Sequence, residues 1–202
     1  MPAETVVGVL ALQGAFVAHQ QRLAELRVPT RQVRLPSDLD GCRALVMPGG
    51  ESTTMSKLMV SSGLYDEIAR RLDDGLAVLG TCAGMILLAT EVLDGRPDQR
   101  CLGAIDVTVR RNGYGRQLDS FETELRLRGR DPDEAPFHGV FIRAPRVERI
   151  GPDVEVLAEH EGEPVLVRSG AVTVASFHPE LTPDVRVHAD FIESLTEHRE
   201  VL

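Results

Sequence analysis

The sequence is short of the residues that most often declare a function outright. It holds 3 cysteines, an odd number, and no two stand in a C-x-x-C pair. That excludes a disulfide framework and a cysteine-based metal site. Lysine and arginine together number 22 against 31 acidic residues, a formal net charge of −9. With no cationic surplus to neutralise phosphates, nonspecific nucleic-acid binding is excluded. No apolar run approaches the length of a membrane span. Glu4, and no basic segment, precedes the apolar stretch in "MPAETVVGVLALQGAF", which reads as a first strand and not as a signal peptide. Internal repeats, Gly/Ser-rich linkers and low-complexity tracts are absent as well. The expectation is one soluble, cytoplasmic domain over residues 1–202, with neither nucleic acid nor membrane as partner.

What is present is an ordinary globular composition, 43% hydrophobic and 26% charged, enough to build one well-formed core. The first half alternates strand-like and helix-like segments. "TVVGVLAL" is a near-continuous apolar run, as in a strand covered on both faces. A helical pattern follows from Gly14 to Arg27, then "TRQVRL" as a strand near an edge and "RALVMPGG" as a third strand. Ser52 is placed to cap a helix through Leu58. "YDEIARRLDDG" reads as a helix closed by Gly75, "LAVLG" as a strand, and "MILLATEVL" as a helix. Such alternation predicts a parallel sheet with helices on both faces. The second half supplies short strand candidates between Gly, Pro and Asp turns: "LGAIDVTVRR", "SFETELRLRG", "GVFIRAP", "VEVLAEHEG", "EPVLVRSG" and "AVTVASFHPE". The last is expected to return to the main sheet, and "DVRVHADFIESLTEHRE" to close the chain as a helix. The fold class is α/β: a mostly parallel, flavodoxin-like three-layer sheet with extra antiparallel strands.

Chemistry concentrates where predicted strands end. "GTCAG" puts Cys82 at a tight turn between a strand and a helix, the nucleophile-elbow arrangement with sulfur in place of oxygen. A cysteine nucleophile needs a base or a positive field, because the thiolate is the attacking species. "SFHPE" offers His178 just beyond a strand, with Glu180 two residues on to orient it, the logic of a hydrolase triad. "PGGES" follows another strand, and its glycines let backbone N–H groups approach a ligand. Gly50 N–H and Ala83 N–H would form a two-donor oxyanion hole. Each motif alone has a plain structural reading as a turn or surface loop; together at strand ends they point to a nucleophilic site. Cys42 and Cys101 are assigned to packing or surface. His19, His138, His160, His188 and His198 show no ligand-like pairing, so no metal site is expected.

These residues carry a resemblance. The chain resembles the class I (triad) glutamine amidotransferases, and within them the glutaminase subunits of pyridoxal 5′-phosphate synthase. "GVLALQGAF", "PGGESTTM", "GTCAG", "RNGYGRQLDSFE", "GVFIRAP" and "SFHPELT" occur in the family's order, from Val6 to about Val187. The resemblance implies hydrolysis of L-glutamine to glutamate and ammonia, without a cofactor. It implies delivery of the ammonia to a barrel-shaped partner synthase in a large hetero-oligomer, where it is condensed with a pentose phosphate and a triose phosphate. Carried across, Cys82 is the nucleophile, His178 the acid/base and Glu180 its orienter. Gly50, Glu51 and Ser52 correspond to a glutamine-binding loop, Arg111 to a second contact, and Ile142 with Arg143 to a third. Gln13 and Gly49 are placed at a gate or partner interface. The acidic loop "RGRDPDEAP" is the least family-like stretch. The alternatives are a glutaminase of another biosynthetic pathway, or a stand-alone cysteine hydrolase on the same fold.

Overall fold

The computed structural model describes residues 6–113, 120–131 and 133–197. Most of the "GYGRQLD" segment and His198 therefore lie outside the described residues. The first half runs β1 (Val6–Leu10), α1 (Phe16–Glu25), β2 (Thr30–Val33), β3 (Cys42–Met47), α2 (Ser52–Ser62), α3 (Leu64–Asp73), β4 (Ala77–Thr81) and α4 (Ala83–Leu88). The second half is mostly strand: β5 (Ala89–Val92), β6 (Ile105–Arg110), β7 (Ser120–Leu125), β8 (Phe137–Ile142) and β9 (Arg146–Ile150). It continues through β10 (Glu155–His160), β11 (Glu163–Ser169) and β12 (Val172–Ala175), and helix α5 (Arg186–Glu197) follows.

One seven-stranded sheet organises these elements, in the order β10-β11-β12-β4-β3-β1-β2. Every neighbouring pair from β12 to β2 is parallel, while β11 and β10 add antiparallel strands at the far edge. Pleating sends alternate side chains to opposite faces. Val7 and Val9 of β1 and Ala44 and Val46 of β3 therefore enter one core, while Leu10, Leu45 and Met47 enter the other. The first core is closed by Leu23 of α1, Val187 and Phe191 of α5, and the β7–β8 hairpin. The second is closed by Met55 and Met59 of α2, Leu64 and Ile68 of α3, all of α4, and a small sheet β5-β6-β9.

The path explains why helices fall on both faces. β1 leads through α1 to β2 on one side, and the chain then returns across β1 to lay down β3 and β4 on the other. Right-handed crossovers in opposite directions put their helices on opposite faces. The reversal lies between β1 and β3, and the carboxyl ends of strands at such a switch point form a natural ligand crevice.

Local differences from the sequence expectation have physical causes. The helix expected over "MILLATEVL" stops at Leu88, and Ala89–Val92 pairs with β6. Thr90 and Val92 are β-branched, and the Thr90 hydroxyl donates to the Val107 carbonyl at 3.0 Å. Glu51, not Ser52, caps α2: its carboxylate accepts from the backbone N–H groups of Thr53 at 3.1 Å and Thr54 at 2.7 Å. That helix runs to Ser62 and ends at Gly63, whose φ of 78° suits glycine. β9, "RVERI", carries no apolar alternation; only Val147 is buried, and β6 supplies the pairing.

Candidate active site

Cys82 sits where β4 hands over to α4, with φ 49° and ψ −103°. This left-handed conformation is strained for a side-chain-bearing residue, at a cost of about 1–3 kcal/mol. The turn is held by its surroundings: Cys82 N–H donates to the Ala175 carbonyl of β12 at 2.8 Å, and its carbonyl accepts from Ile86 N–H at 3.2 Å. Both flanking glycines are needed for closeness. A Cβ on Gly84 would stand 2.1 Å from the Met47 carbonyl oxygen, and one on Gly80 would stand 2.5 Å from Leu88. The sequence "GTCAG" is thus a device for driving the start of α4 against the ends of β3 and β4.

His178 leaves the end of β12 and is pinned to the hairpin by its N–H, which donates to the Val140 carbonyl at 2.8 Å. Phe177 beside it packs on Phe137 and Phe141 with ring centroids 5.6 Å away in each case. The next residues, Pro179–Leu181, make a 3-10 turn that brings the Glu180 carboxylate back to the imidazole. Glu180 Oε1 lies 2.7 Å from His178 Nδ1, and both residues are buried, at 3% and 8% exposure. Burial opposes a charge on His178, but hydrogen bonds to Cys82 and then to Glu180 overcome it and hold the imidazole at about 10. Burial likewise opposes the Glu180 charge, and His19 and His178 together keep its carboxyl below the usual range. A protonated imidazole between a sulfur and a carboxylate is the field that favours thiolate over thiol.

Two loops complete the site. Gly14, at φ 89°, lies so close to the Gly49 carbonyl that a Cβ there would be 1.7 Å from the oxygen. A Cβ on Gly49 would be 2.4 Å from the His178 ring. Gln13 Oε1 accepts from Glu51 N–H at 3.0 Å, tying the β1 loop to the β3 loop. A cavity of about 300 Å³ opens here, lined by Gln13, Gly49, Gly50, Glu51, Ser52, Cys82, Ile86, Arg111, Asn112, Ile142, Arg143 and His178. All the expected site residues line it except Glu180, buried behind His178, and Ala83, buried directly after Cys82 at 1% exposure. Ile86 and Asn112 join them; Ile86 is one turn along α4 from Cys82, a spacing that could have marked it.

Charge at the rim is divided between two arginines. Arg111 Nη2 bonds Glu51 Oε1 at 3.0 Å, so its guanidinium is engaged within the protein. Burial works against the Glu51 charge, yet the Thr54 and Thr53 hydrogen bonds hold its carboxyl at about 2. Arg143, exposed and with φ 43°, stands at the end of β8 beside Ile142, whose carbonyl is 3.9 Å from Cys82 Sγ. Among the described residues no group of His, Cys, Asp and Glu could hold a metal ion, and no helix is long and apolar enough to cross a membrane.

The other expected assignments have definite places. Cys42 is buried and Cys101 half-buried, both away from the cavity lining. His138 is exposed and 2.8 Å from Glu122, and His160 stacks on Phe121 at 5.1 Å between centroids. The acidic loop is tethered by Arg130, which pairs with Asp190 of α5. His19 and His188 differ from expectation most: both are 0% exposed, and His19 faces the triad carboxylate.

The same architecture recurs in known proteins. The model of the SNO glutamine amidotransferase family matches residues 9–197. The pyridoxal 5′-phosphate synthase subunit PdxT of Mycobacteroides abscessus is 54% identical over 188 residues, 93% of this chain and 96% of that protein. PdxT of Thermus thermophilus is 52% identical over 189 residues, with 93% and 96% covered. A crystal structure of a glutamine amidotransferase, 49% identical, superposes with a TM-score of 0.88 over 94% of this chain and 98% of that one. With the match spanning both strand-end loops, the elbow and the His178 turn, the chain belongs to the SNO glutamine amidotransferase family.

Proposed function

We propose that this chain is a single glutaminase domain working as a subunit of a pyridoxal 5′-phosphate synthase in the cytoplasm. The reading is carried by one observation: Cys82, His178 and Glu180 converge beside the cavity at the sheet's switch point. The names of its relatives, at 54% and 52% identity, support the pathway.

The chemistry follows from the residues. The Cys82 thiolate attacks the side-chain carbonyl carbon of L-glutamine, and the oxygen takes up the electron pair as an oxyanion. Gly50 and Ala83 N–H groups donate to it. His178 gives its proton to the amide nitrogen, the C–N bond breaks, and ammonia leaves a glutamyl thioester on sulfur. His178, now neutral, takes a proton from water; the hydroxide adds to the thioester, and glutamate departs as the thiolate re-forms. Arg143 is a donor for the substrate carboxylate, and the Ile142 carbonyl an acceptor for its ammonium. Gly50, Glu51 and Ser52 form the loop over the substrate, with Arg111 holding Glu51 in place. No cofactor takes part.

The ammonia is used by a partner synthase of barrel form, in a large hetero-oligomer. Ile142, in the cavity lining and 38% exposed, offers the partner an apolar contact at the site. Gln13 and Gly49, in the cavity lining, are read as the gate or the partner contact. The test is to mix the protein with a synthase subunit, glutamine and the two sugar phosphates, and to follow pyridoxal phosphate. Product is expected with wild type and, for Cys82→Ala, only when an ammonium salt replaces glutamine. Ammonia release with no product from any synthase would favour another pathway; cleavage of esters or peptides in place of glutamine would favour the stand-alone hydrolase.

A further inference from the structure

Glu180 has two oxygens, and His178 accounts for one. The second, Oε2, is fully buried and makes no hydrogen bond. The group that faces it is His19 Nε2 of α1, at 3.3 Å, which also lies 3.2 Å from the Thr81 hydroxyl. On the far side of the same ring, His19 Nδ1 is 2.9 Å from His188 Nε2 of α5. His188 Nδ1 is buried with no partner. A chain of side chains therefore runs from α5 through α1 to the triad carboxylate, wholly out of water.

The protons on this chain are assigned from the network. Burial pushes both His19 and His188 down, the latter to about 3, so each ring is neutral and carries one proton. If His19 carried its proton on Nδ1, it would donate to His188 Nε2, and a nitrogen lone pair would face a carboxylate oxygen. His188 would then hold its proton on Nδ1, where a buried donor has no acceptor. Orphaned buried donors are the rarer and costlier fault. The opposite assignment leaves only one unfilled acceptor, His188 Nδ1. His188 Nε2–H then donates to His19 Nδ1, and His19 Nε2–H donates to the Thr81 hydroxyl at 3.2 Å with Glu180 Oε2 beside it at 3.3 Å.

We infer that His19, set by His188, is a positioning residue of the active site: it holds the Glu180 carboxylate ionised and oriented so that Oε1 serves His178. This rests on the proposed triad. The charged and titratable groups around the chain are Glu180, His178 with Cys82 beyond it, and Arg22 of α1. The Arg22 guanidinium is bonded to the Thr182 carbonyl at 3.1 Å and to Glu25 at 2.9 Å. Without the His19 donor, Glu180 is freer to turn or to take up a proton, and its hold on the His178 proton weakens.

Two measurements on the full chain test this. Long-range ¹H–¹⁵N spectra of the wild type at neutral pH are expected to show His19 and His188 neutral, each with its proton on Nε2. A His19 proton on Nδ1 overturns the proposal without any variant. In the second, His19→Asn, which removes the donor facing Glu180, is expected to lower the His178 titration by about one unit. The same variant is expected to reduce kcat for glutamine by about tenfold in the synthase complex with KM unchanged. His19→Gln, whose amide N–H reaches nearly the Nε2 position, is expected to return both to near wild type. If His178 titrates unchanged in His19→Asn while Cys82 still reacts with an electrophilic glutamine analogue, His19 has only a structural part. If wild-type Cys82 does not react at all, the triad itself is wrong and the proposal falls with it.

Discussion

Glu180→Gln is the change that most directly separates charge from shape in this site. The carboxylate and the His178 ring are 2.7 Å apart at 3% and 8% exposure, so solvent screens little of the interaction. A hydrogen bond to a charged partner contributes roughly 1.5–3 kcal/mol, which is about 1–2 pKa units. His178, held at about 10 in the wild type, should drop to roughly 8–9. An amide also has one oxygen where the carboxylate had two, with His178 Nδ1–H at one of those positions and His19 Nε2, 3.3 Å away, at the other. Whichever way it turns, two buried donors meet, at a cost of about 1–3 kcal/mol in stability. The imidazolium already carries protons on both nitrogens, so tautomer control is not lost. The fall in rate at neutral pH should therefore stay well short of the roughly 10⁴-fold typical of a serine triad stripped of its acid. The assay is kcat/KM for glutamine from pH 6 to 11 in the synthase complex, with urea unfolding alongside. The alkaline limb should move down by about 1–2 units and the urea midpoint should fall. A limb that stays put while stability falls would show that the Glu180 charge does not hold the His178 proton.

Other outcomes follow from the same geometry. An electrophilic glutamine analogue should label Cys82 and leave Cys42 and Cys101 unmodified, as read by mass spectrometry of the digest. Replacing His178 by Asn should cost more than the roughly 10²–10⁴-fold of a single acid/base group, because thiolate activation is lost as well; turnover within a few-fold of wild type would remove His178 from the mechanism. Arg143→Ala should raise KM and leave kcat nearly unchanged, while Arg111→Ala, acting through Glu51, should raise KM and also lower the unfolding midpoint. Folding stability should fall below about pH 6.5, at up to ~1.4 kcal/mol per pH unit for each ring, because His19 and His188, neutral when buried, are protonated first in the unfolded chain. A urea midpoint that is flat from pH 5 to 8 would contradict these assignments.

Much of the site was legible because its residues announce themselves by local constraint. Cys82 is flanked by glycines that only a close approach requires, and His178 and Glu180 are bound by a single proline into one turn. Both motifs follow apolar strands, so their position at one sheet edge was implied by the alternation of elements. His19 and His188 carried no such mark. They lie 169 residues apart on helices whose other residues look ordinary, and only the packing of α1 and α5 on one face brings them within 2.9 Å. The strands β5 and β9 were missed for a related reason. Each is short and polar on its open side, and each takes its form from pairing with β6 rather than from its own pattern. The Glu51 cap was also hidden, since Ser52 is the more usual capping residue and nothing local shows that it lies inside the helix.

The buried and open halves of this site carry different burdens. Cys82, His178, Glu180, His19 and His188 are each at most 8% exposed and are bound to strands and helices from both cores. Displacing any of them would leave charges or N–H groups without partners out of water, a cost of several kcal/mol. The chemical groups are thus fixed before substrate arrives, and the strain at Cys82 is carried by packing that does not depend on glutamine. Gly50, Ile142 and Arg143 are all exposed, Gly50 in the loop after β3 and the other two at the end of β8. A partner that raises glutaminase activity is therefore expected to act on this outer half, through the Gly50 loop and the Ile142–Arg143 end of β8, without disturbing the buried network. The kinetic consequence is specific. Activation should appear as better glutamine binding and oxyanion stabilisation, with the His178 titration the same in the free subunit and in the complex; a His178 that moved on complex formation would put the control in the buried half instead.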